Sequence, residues 1–231
     1  HDAYGVYAAL LNLSIIFGIV LDVGITNFNN RHIAEDTSRM QYSLPNLMVV
    51  KCIFLLIYYC ILLGTAYLLH YTGYSIFLLF LLGTIQFLNS FVQFLRSNIS
   101  ANQDFKRDGI LSVMDKIIMI LLCGYLLWNK NTAAHFTITW YLYAQIVAYG
   151  STVCLALWMI RKTYTAIHFN QISRVHMKNL LVRSLPYALL ILLMGIYMRS
   201  DVLLLERFAG AANSSMYVEA YRVLDAFNMI G

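Results

Sequence analysis

Six apolar runs, each long enough to cross a bilayer, restrict this chain to one class of fold. They cover about 4–29, 44–70, 74–101, 109–128, 136–160 and 180–208, and a seventh begins near Ser214. A hydrocarbon core about 30 Å thick takes roughly 20 apolar residues as a helix. The runs are too long for barrel strands, and lipid forbids unpaired backbone, so each run reads as a transmembrane helix. The expected fold is an all-α polytopic membrane bundle. Composition agrees: 60% of the 231 residues are apolar and 12% are charged, about half the charge of a soluble domain. That excludes disorder and an ordinary soluble enzyme.

The net charge is +5. Basic residues sit mostly between the runs, without a basic helix or an aromatic platform, so nucleic acid is not expected as a partner. The loop 30–43 carries Arg31 and Arg39, and 102–108 carries Lys106 and Arg107. The stretch 161–183 carries Arg161, Lys162, Arg174, Lys178 and Arg183 and no acid. The alternate loops offer little beyond Lys130 and Arg207. The basic loops share one parity and are therefore expected on the cytoplasmic side. The longest polar stretch divides the chain into an N-terminal lobe, 1–160, a basic linker, 161–179, and the start of a second lobe, 180–231. A weak echo joins Tyr4–Asn12 to Tyr217–Asp225, as parallel repeats would give. Pro186 is expected near the start of its helix, where proline is tolerated.

Charges inside spans are costly and mark candidate function. Asp22 begins a stripe with Thr26 and Asn29 or Asn30, and reads either as a protonatable coupling site or as a carboxylate bonded to a neighbouring helix. The run 74–101 carries Gln86, Asn89, Ser90, Gln93, Arg96, Ser97 and Ser100 at three- and four-residue steps. Amides and a guanidinium suit sugar hydroxyls and phosphate, and they also serve as polar glue between helices. Lys51 and Lys116 lie about 10 Å into their helices, within snorkelling reach. Asp115 is expected to point away from Lys116. Arg199 and Asp201 are two residues apart, so each needs a partner elsewhere. Glu219, Arg222 and Asp225 form a ladder at steps of three. The six histidines are expected to be solvated, and Cys52, Cys60, Cys123 and Cys154 to be buried thiols. No HExxH, GxSxG or P-loop pattern occurs, and neither metal nor cofactor is expected.

Three groups of residues resemble a known family. The first is Tyr4-Gly-Val-Tyr, then Asp22-Val-Gly24 and Arg31-His-Ile-Ala34. The second is Phe94-Leu-Arg-Ser97, then Phe105-Lys-Arg-Asp-Gly-Ile110 and Asp115-Lys116. The third is Leu185-Pro186, then Tyr197-Met-Arg-Ser-Asp201, Gly210 and Tyr217-Val-Glu-Ala-Tyr-Arg222. In this order they resemble the Wzx-type lipid-linked oligosaccharide flippases of the multidrug/oligosaccharidyl-lipid/polysaccharide superfamily. The resemblance implies two six-helix lobes around a central cavity, of which this chain would hold helices two to seven and part of the eighth. It implies a transporter of the bacterial inner membrane, not an enzyme, with membrane lipids and an undecaprenyl-pyrophosphate-linked glycan as partners. A cationic lumen would draw in the pyrophosphate. Arg199 and Asp201 would match the charged turn of the seventh helix, and Arg31 the basic end of the second. The substrate-binding candidates are then Arg31, Lys51, Gln86, Gln93, Arg96, Lys116 and Arg199. Asp22, Asp201 and Glu219 are candidates for coupling to protons or sodium. A drug or metabolite antiporter of the same superfamily is the nearest alternative; a glycan polymerase or ligase, and a structural scaffold, are more distant ones.

Overall fold

The computed structural model describes residues 2–71, 73–128, 137–163 and 172–209. The described residues form helices and no strand. In chain order these are α1 (Asp2–Gly18), a 3₁₀ turn (Ile19–Leu21), α2 (Ile25–Glu35) and a second 3₁₀ turn (Thr37–Arg39). Then come α3 (Met40–Leu68), α4 (Tyr74–Ala101), α5 (Phe105–Trp128), α6 (Ile138–Thr163) and α7 (Arg174–Ala209). Among the described residues, five segments are long and apolar enough to span a bilayer: Leu10–Glu35, Thr37–Leu68, Tyr74–Ala101, Phe105–Trp128 and Ile138–Lys162. The chain divides into two compact units, His1–Tyr187 and Ala188–Gly231. The contacts described below lie within the first.

The first apolar run is not one helix. It breaks between α1 and α2, where Val23 and Gly24 take left-handed backbone angles, φ 41° and 73°. Glycine adopts such a φ freely, but a β-branched valine there is strained. The break is held by its own polar groups. The Asp22 carboxylate accepts from the Thr26 amide at 3.4 Å and from the Thr26 hydroxyl, capping α2. The Ile25 amide donates to the Asp22 carbonyl at 2.8 Å. At the other end of α2, Asp36 accepts from the Ser38 hydroxyl at 2.7 Å and the Ser38 amide at 3.0 Å. These bonds hold its carboxyl below the ordinary aspartate range.

Helix α4 is the centre of the first unit, packing against α1, α2, α3, α5 and α6. Two apolar clusters lie along it. One gathers Ile25, Phe28, Leu47, Val50, Phe94 and Leu95. The other gathers Leu10, Leu21, Tyr58, Leu62, Leu79 and Leu82. The outward faces are also apolar: Leu56, Leu68, Phe80, Ile120, Leu121 and Trp128 are exposed. A soluble protein would not tolerate so much exposed hydrocarbon, and lipid accommodates it.

Two expectations are corrected here. The cysteines are not buried: Cys52, Cys60 and Cys154 are exposed and Cys123 is half-buried, all as free thiols. In a membrane bundle the outer face is itself apolar, so an apolar run does not tell which face is inside. Pro186 does not sit at a helix start. Helix α7 begins at Arg174 and carries Pro186 in its interior, where it cannot donate to the Val182 carbonyl.

Helix α3 packs closely against α4 at Gly83. A Cβ there would meet Tyr59 Cε1 at 3.0 Å and Leu62 Cδ2 at 3.1 Å. Small residues at such crossings let helix backbones approach where lipid gives little apolar driving force. Gly83→Leu is expected to destabilise the protein by about 1–3 kcal/mol through overpacking. Gly64→Ala, in α3 with nothing within 4 Å of the added carbon, is expected to stabilise by about 0.5–1 kcal/mol. Midpoints of thermal unfolding in detergent check both.

Candidate functional site

The helix break leaves main-chain carbonyls at membrane depth, where they must find donors. The donor is Lys51 of α3. Its side chain is 0% exposed, and its Nζ lies 2.7 Å from Asp22 Oδ1. The same Nζ donates to the Leu21 carbonyl at 3.2 Å, the Ser90 hydroxyl at 2.8 Å and the Ser90 carbonyl at 3.3 Å. The Ser90 hydroxyl also reaches the Leu21 carbonyl at 3.4 Å. The Phe94 ring covers the ammonium, with its centroid 5.6 Å away. Asp22 thus caps α2 and neutralises Lys51 at once. The sequence places them 29 residues apart, and nothing in its spacing shows that they meet. Neither is a free lumenal group: the geometry joins a residue expected to bind substrate and one expected to carry an ion in a single internal pair.

Two turns further along, α2, α3 and α4 are stitched by amides and hydroxyls. Asn29 donates to Asn98 Oδ1 at 3.0 Å and accepts from the Ser43 hydroxyl at 2.9 Å. Ser97 lies 3.4 Å from Asn29 Nδ2. All four residues are buried. This is the helix-gluing role open to that part of the polar stripe.

The rest of the stripe opens on space. Thr26 and Asn30 of α2, Gln93, Arg96, Ser97 and Ser100 of α4, and Asp108 of α5 line an open pocket of about 220 Å³. Arg96 is clamped by Asp108, with Nε to Oδ1 at 2.7 Å and Nη2 to Oδ2 at 3.2 Å. A fork of this kind fixes the guanidinium plane and cancels its charge. The pocket is therefore lined by one neutralised ion pair, two amides and three hydroxyls. Asp108 is the lining residue that the sequence reading did not single out; its place in Phe105-Lys-Arg-Asp-Gly-Ile110 was the only signal.

The other candidates stand apart from this pocket. Gln86 faces the end of α1, with its Oε1 3.9 Å from where a Cβ on Gly18 would sit. The side chain of Arg31 is 71% exposed and pairs with Glu35 at 3.5 Å. Lys116 does bond its neighbour: its Nζ is 2.6 Å from Asp115 Oδ2 and 5.5 Å from the Tyr149 ring centroid. A long lysine stem folds back over one residue, so diverging Cβ directions did not keep the pair apart. Arg199 and Asp201 lie on α7, with side chains outside the described residues, and Glu219 also lies outside them.

The histidines are not uniformly solvated. His32 is buried, stacked on Phe28 at 5.1 Å, with its Nε2 3.2 Å from the Tyr42 hydroxyl. Its loop-end position in the sequence hid a packing contact made by α3. Among the described residues no group of three His, Cys, Asp or Glu side chains is placed to hold a metal ion.

Comparison with known proteins gives two matches. The sequence profile of a family described as "Polysaccharide biosynthesis protein" matches residues 1–230. Among solved structures, a crystal structure of a proline-to-alanine mutant of a MATE protein is similar, with a TM-score of 0.63 at 19% identity. The match covers 96% of this chain and 52% of that one, so the chain spans about half the length of that structure. No curated protein matches the chain.

The ion pair at the break makes a sharp expectation. Asp22→Asn leaves a wholly buried ammonium without its counter-charge and is expected to cost about 3 kcal/mol or more. Adding Lys51→Met replaces the pair by neutral groups and is expected to recover most of that loss. Thermal midpoints of the two single variants and the double variant, read as a cycle, measure the coupling.

Proposed function

The chain belongs to the polysaccharide biosynthesis protein family, and from that premise we propose that it is part of a transporter that moves a lipid-linked oligosaccharide across the bacterial inner membrane. In this reading residues 1–160 belong to an N-terminal lobe, 161–179 form a cytoplasmic linker and 180–231 begin a second lobe. The two lobes would expose a shared hydrophilic path to either leaflet in turn. The lipid tail stays in the bilayer while the polar head crosses beside protein groups, because each unsatisfied polar group in hydrocarbon costs several kcal/mol.

The observation that carries the reading is the pocket between α2, α4 and α5. Planar amides, a forked carboxylate–guanidinium pair and hydroxyls offer donors and acceptors side by side, which is what vicinal sugar hydroxyls need. Its 220 Å³ is smaller than the roughly 300–1,000 Å³ that encloses a drug-sized ligand. It suits one sugar ring of a longer head group. Because Asp108 neutralises Arg96, this contact fits an uncharged sugar better than the pyrophosphate. Arg199 of α7 remains the candidate for the phosphate, and Asp201 and Glu219 for coupling to protons or sodium. Among the described residues Lys51 and Arg96 are paired with carboxylates, so charge does not separate this reading from a drug antiporter; the neutral, hydroxyl- and amide-rich lining favours the glycan.

Arg96→Ala removes a charged hydrogen-bonding group and is expected to lower export about tenfold or more, and Gln93→Ala by less. Surface glycan and lipid-linked oligosaccharide retained on the cytoplasmic face measure this in cells producing comparable amounts of each variant. Unchanged surface glycan in both variants, or loss of cationic-dye efflux in its place, would overturn the glycan reading.

A further inference from the structure

The Lys51 ammonium sits in a cage with more oxygens than it can use. An ammonium has three N–H donors. Four oxygens converge on this one at 2.7–3.3 Å: the Leu21 and Ser90 carbonyls, the Ser90 hydroxyl and an Asp22 carboxylate oxygen. They come from two separate stretches of chain, the break after α1 and the middle of α4. The Leu21 carbonyl closes the 3₁₀ turn that ends the first half of the span, where helix dipoles place partial negative charge. Phe94 presents its ring face to the same point. Carbonyl, hydroxyl and carboxylate oxygens around a helix break are the ligands that hard cations take from proteins.

We propose that this break is a monovalent-cation site in which the Lys51 ammonium is the resident, tethered cation. Three consequences follow. The site needs no free ion in the native protein. Asp22 is permanently engaged and does not carry a coupling ion. Removing the ammonium while keeping the oxygens leaves a vacant cage with one negative charge, which sodium or potassium can fill. The proposal does not rest on the glycan reading, because its readout is binding and stability rather than transport.

The test compares thermal unfolding of the protein in detergent in about 100 mM sodium, potassium or choline chloride. Native protein is expected to show the same midpoint in all three. Lys51→Ala, with the cage emptied, is expected to unfold at least about 3 °C higher in sodium or potassium than in choline. Lys51→Ala combined with Asp22→Asn removes the charge of the cage and is expected to lose that difference. Lys51→Met fills the space with an apolar chain and is expected to show none. The proposal is overturned by a Lys51→Ala protein indifferent to the cation, or by one that cannot be isolated in any of the three salts. It is also overturned by native protein stabilised by sodium in a way that Asp22→Asn abolishes.

Discussion

A broken helix inside a bilayer has to satisfy its own backbone, and here a lysine from another helix supplies the donor for the Leu21 carbonyl. The Leu21 carbonyl ends the first half of the span, where lipid offers no donor. Lys51 reaches across from α3 to supply the donor, and Asp22 supplies the counter-charge that lets an ammonium remain buried. Desolvating such an ion costs several kcal/mol, so the pair is poor evidence of net stability. Its worth is positional. The same four groups fix α3 and α4 against the break, and Asp22 simultaneously caps α2. Apolar burial could not set that register, because side chains facing lipid and side chains facing protein are equally apolar.

That equivalence decides how much the sequence could reveal. Helix existence was legible: α4 runs Tyr74–Ala101, as the apolar run predicts, because length against bilayer thickness is a strong constraint. The break was harder to see. Asp22-Val23-Gly24 stands inside an unbroken apolar run, and a window wide enough to detect a span averages over three residues. Burial was illegible for the cysteines, since hydropathy does not separate the lipid face from the core. Pairing was illegible wherever partners came from different helices, as with Lys51 and Asp22, or where a flexible stem overrode its Cβ direction, as with Lys116 and Asp115. The stripe on α4 was legible as a stripe. Its division between glue and cavity needed coordinates, because Ser97 serves both.

Counting charges would have misdescribed the chemistry. Among the described residues, Lys51 and Arg96, two of the basic residues within the spans, each face a carboxylate at 2.7 Å. Among the described residues, the pocket of α2, α4 and α5 presents amides, hydroxyls and one paired guanidinium, with little net charge. Such a surface discriminates by hydrogen-bond geometry more than by charge.

The arrangement also limits how this unit can move. Two pocket residues, Thr26 and Asn30, belong to α2, and four belong to α4. Those helices are pinned to each other by Asn29–Asn98, and the break that precedes α2 is pinned to α4 by Lys51 with Ser90. Separating α2 from α4 would strip buried amides and an ammonium of their partners together. The α2–α4 wall of the pocket is therefore held together by buried hydrogen bonds. The third wall is different, since Asp108 of α5 reaches the pocket through the half-buried fork to Arg96. A sugar hydroxyl that took over one arm of that fork would loosen α5 without disturbing the pinned pair. Under the proposed function, occupancy of this pocket would be felt first at the α4–α5 junction, while the buried Lys51–Asp22 pair and its Ser90 contacts hold the break against α4.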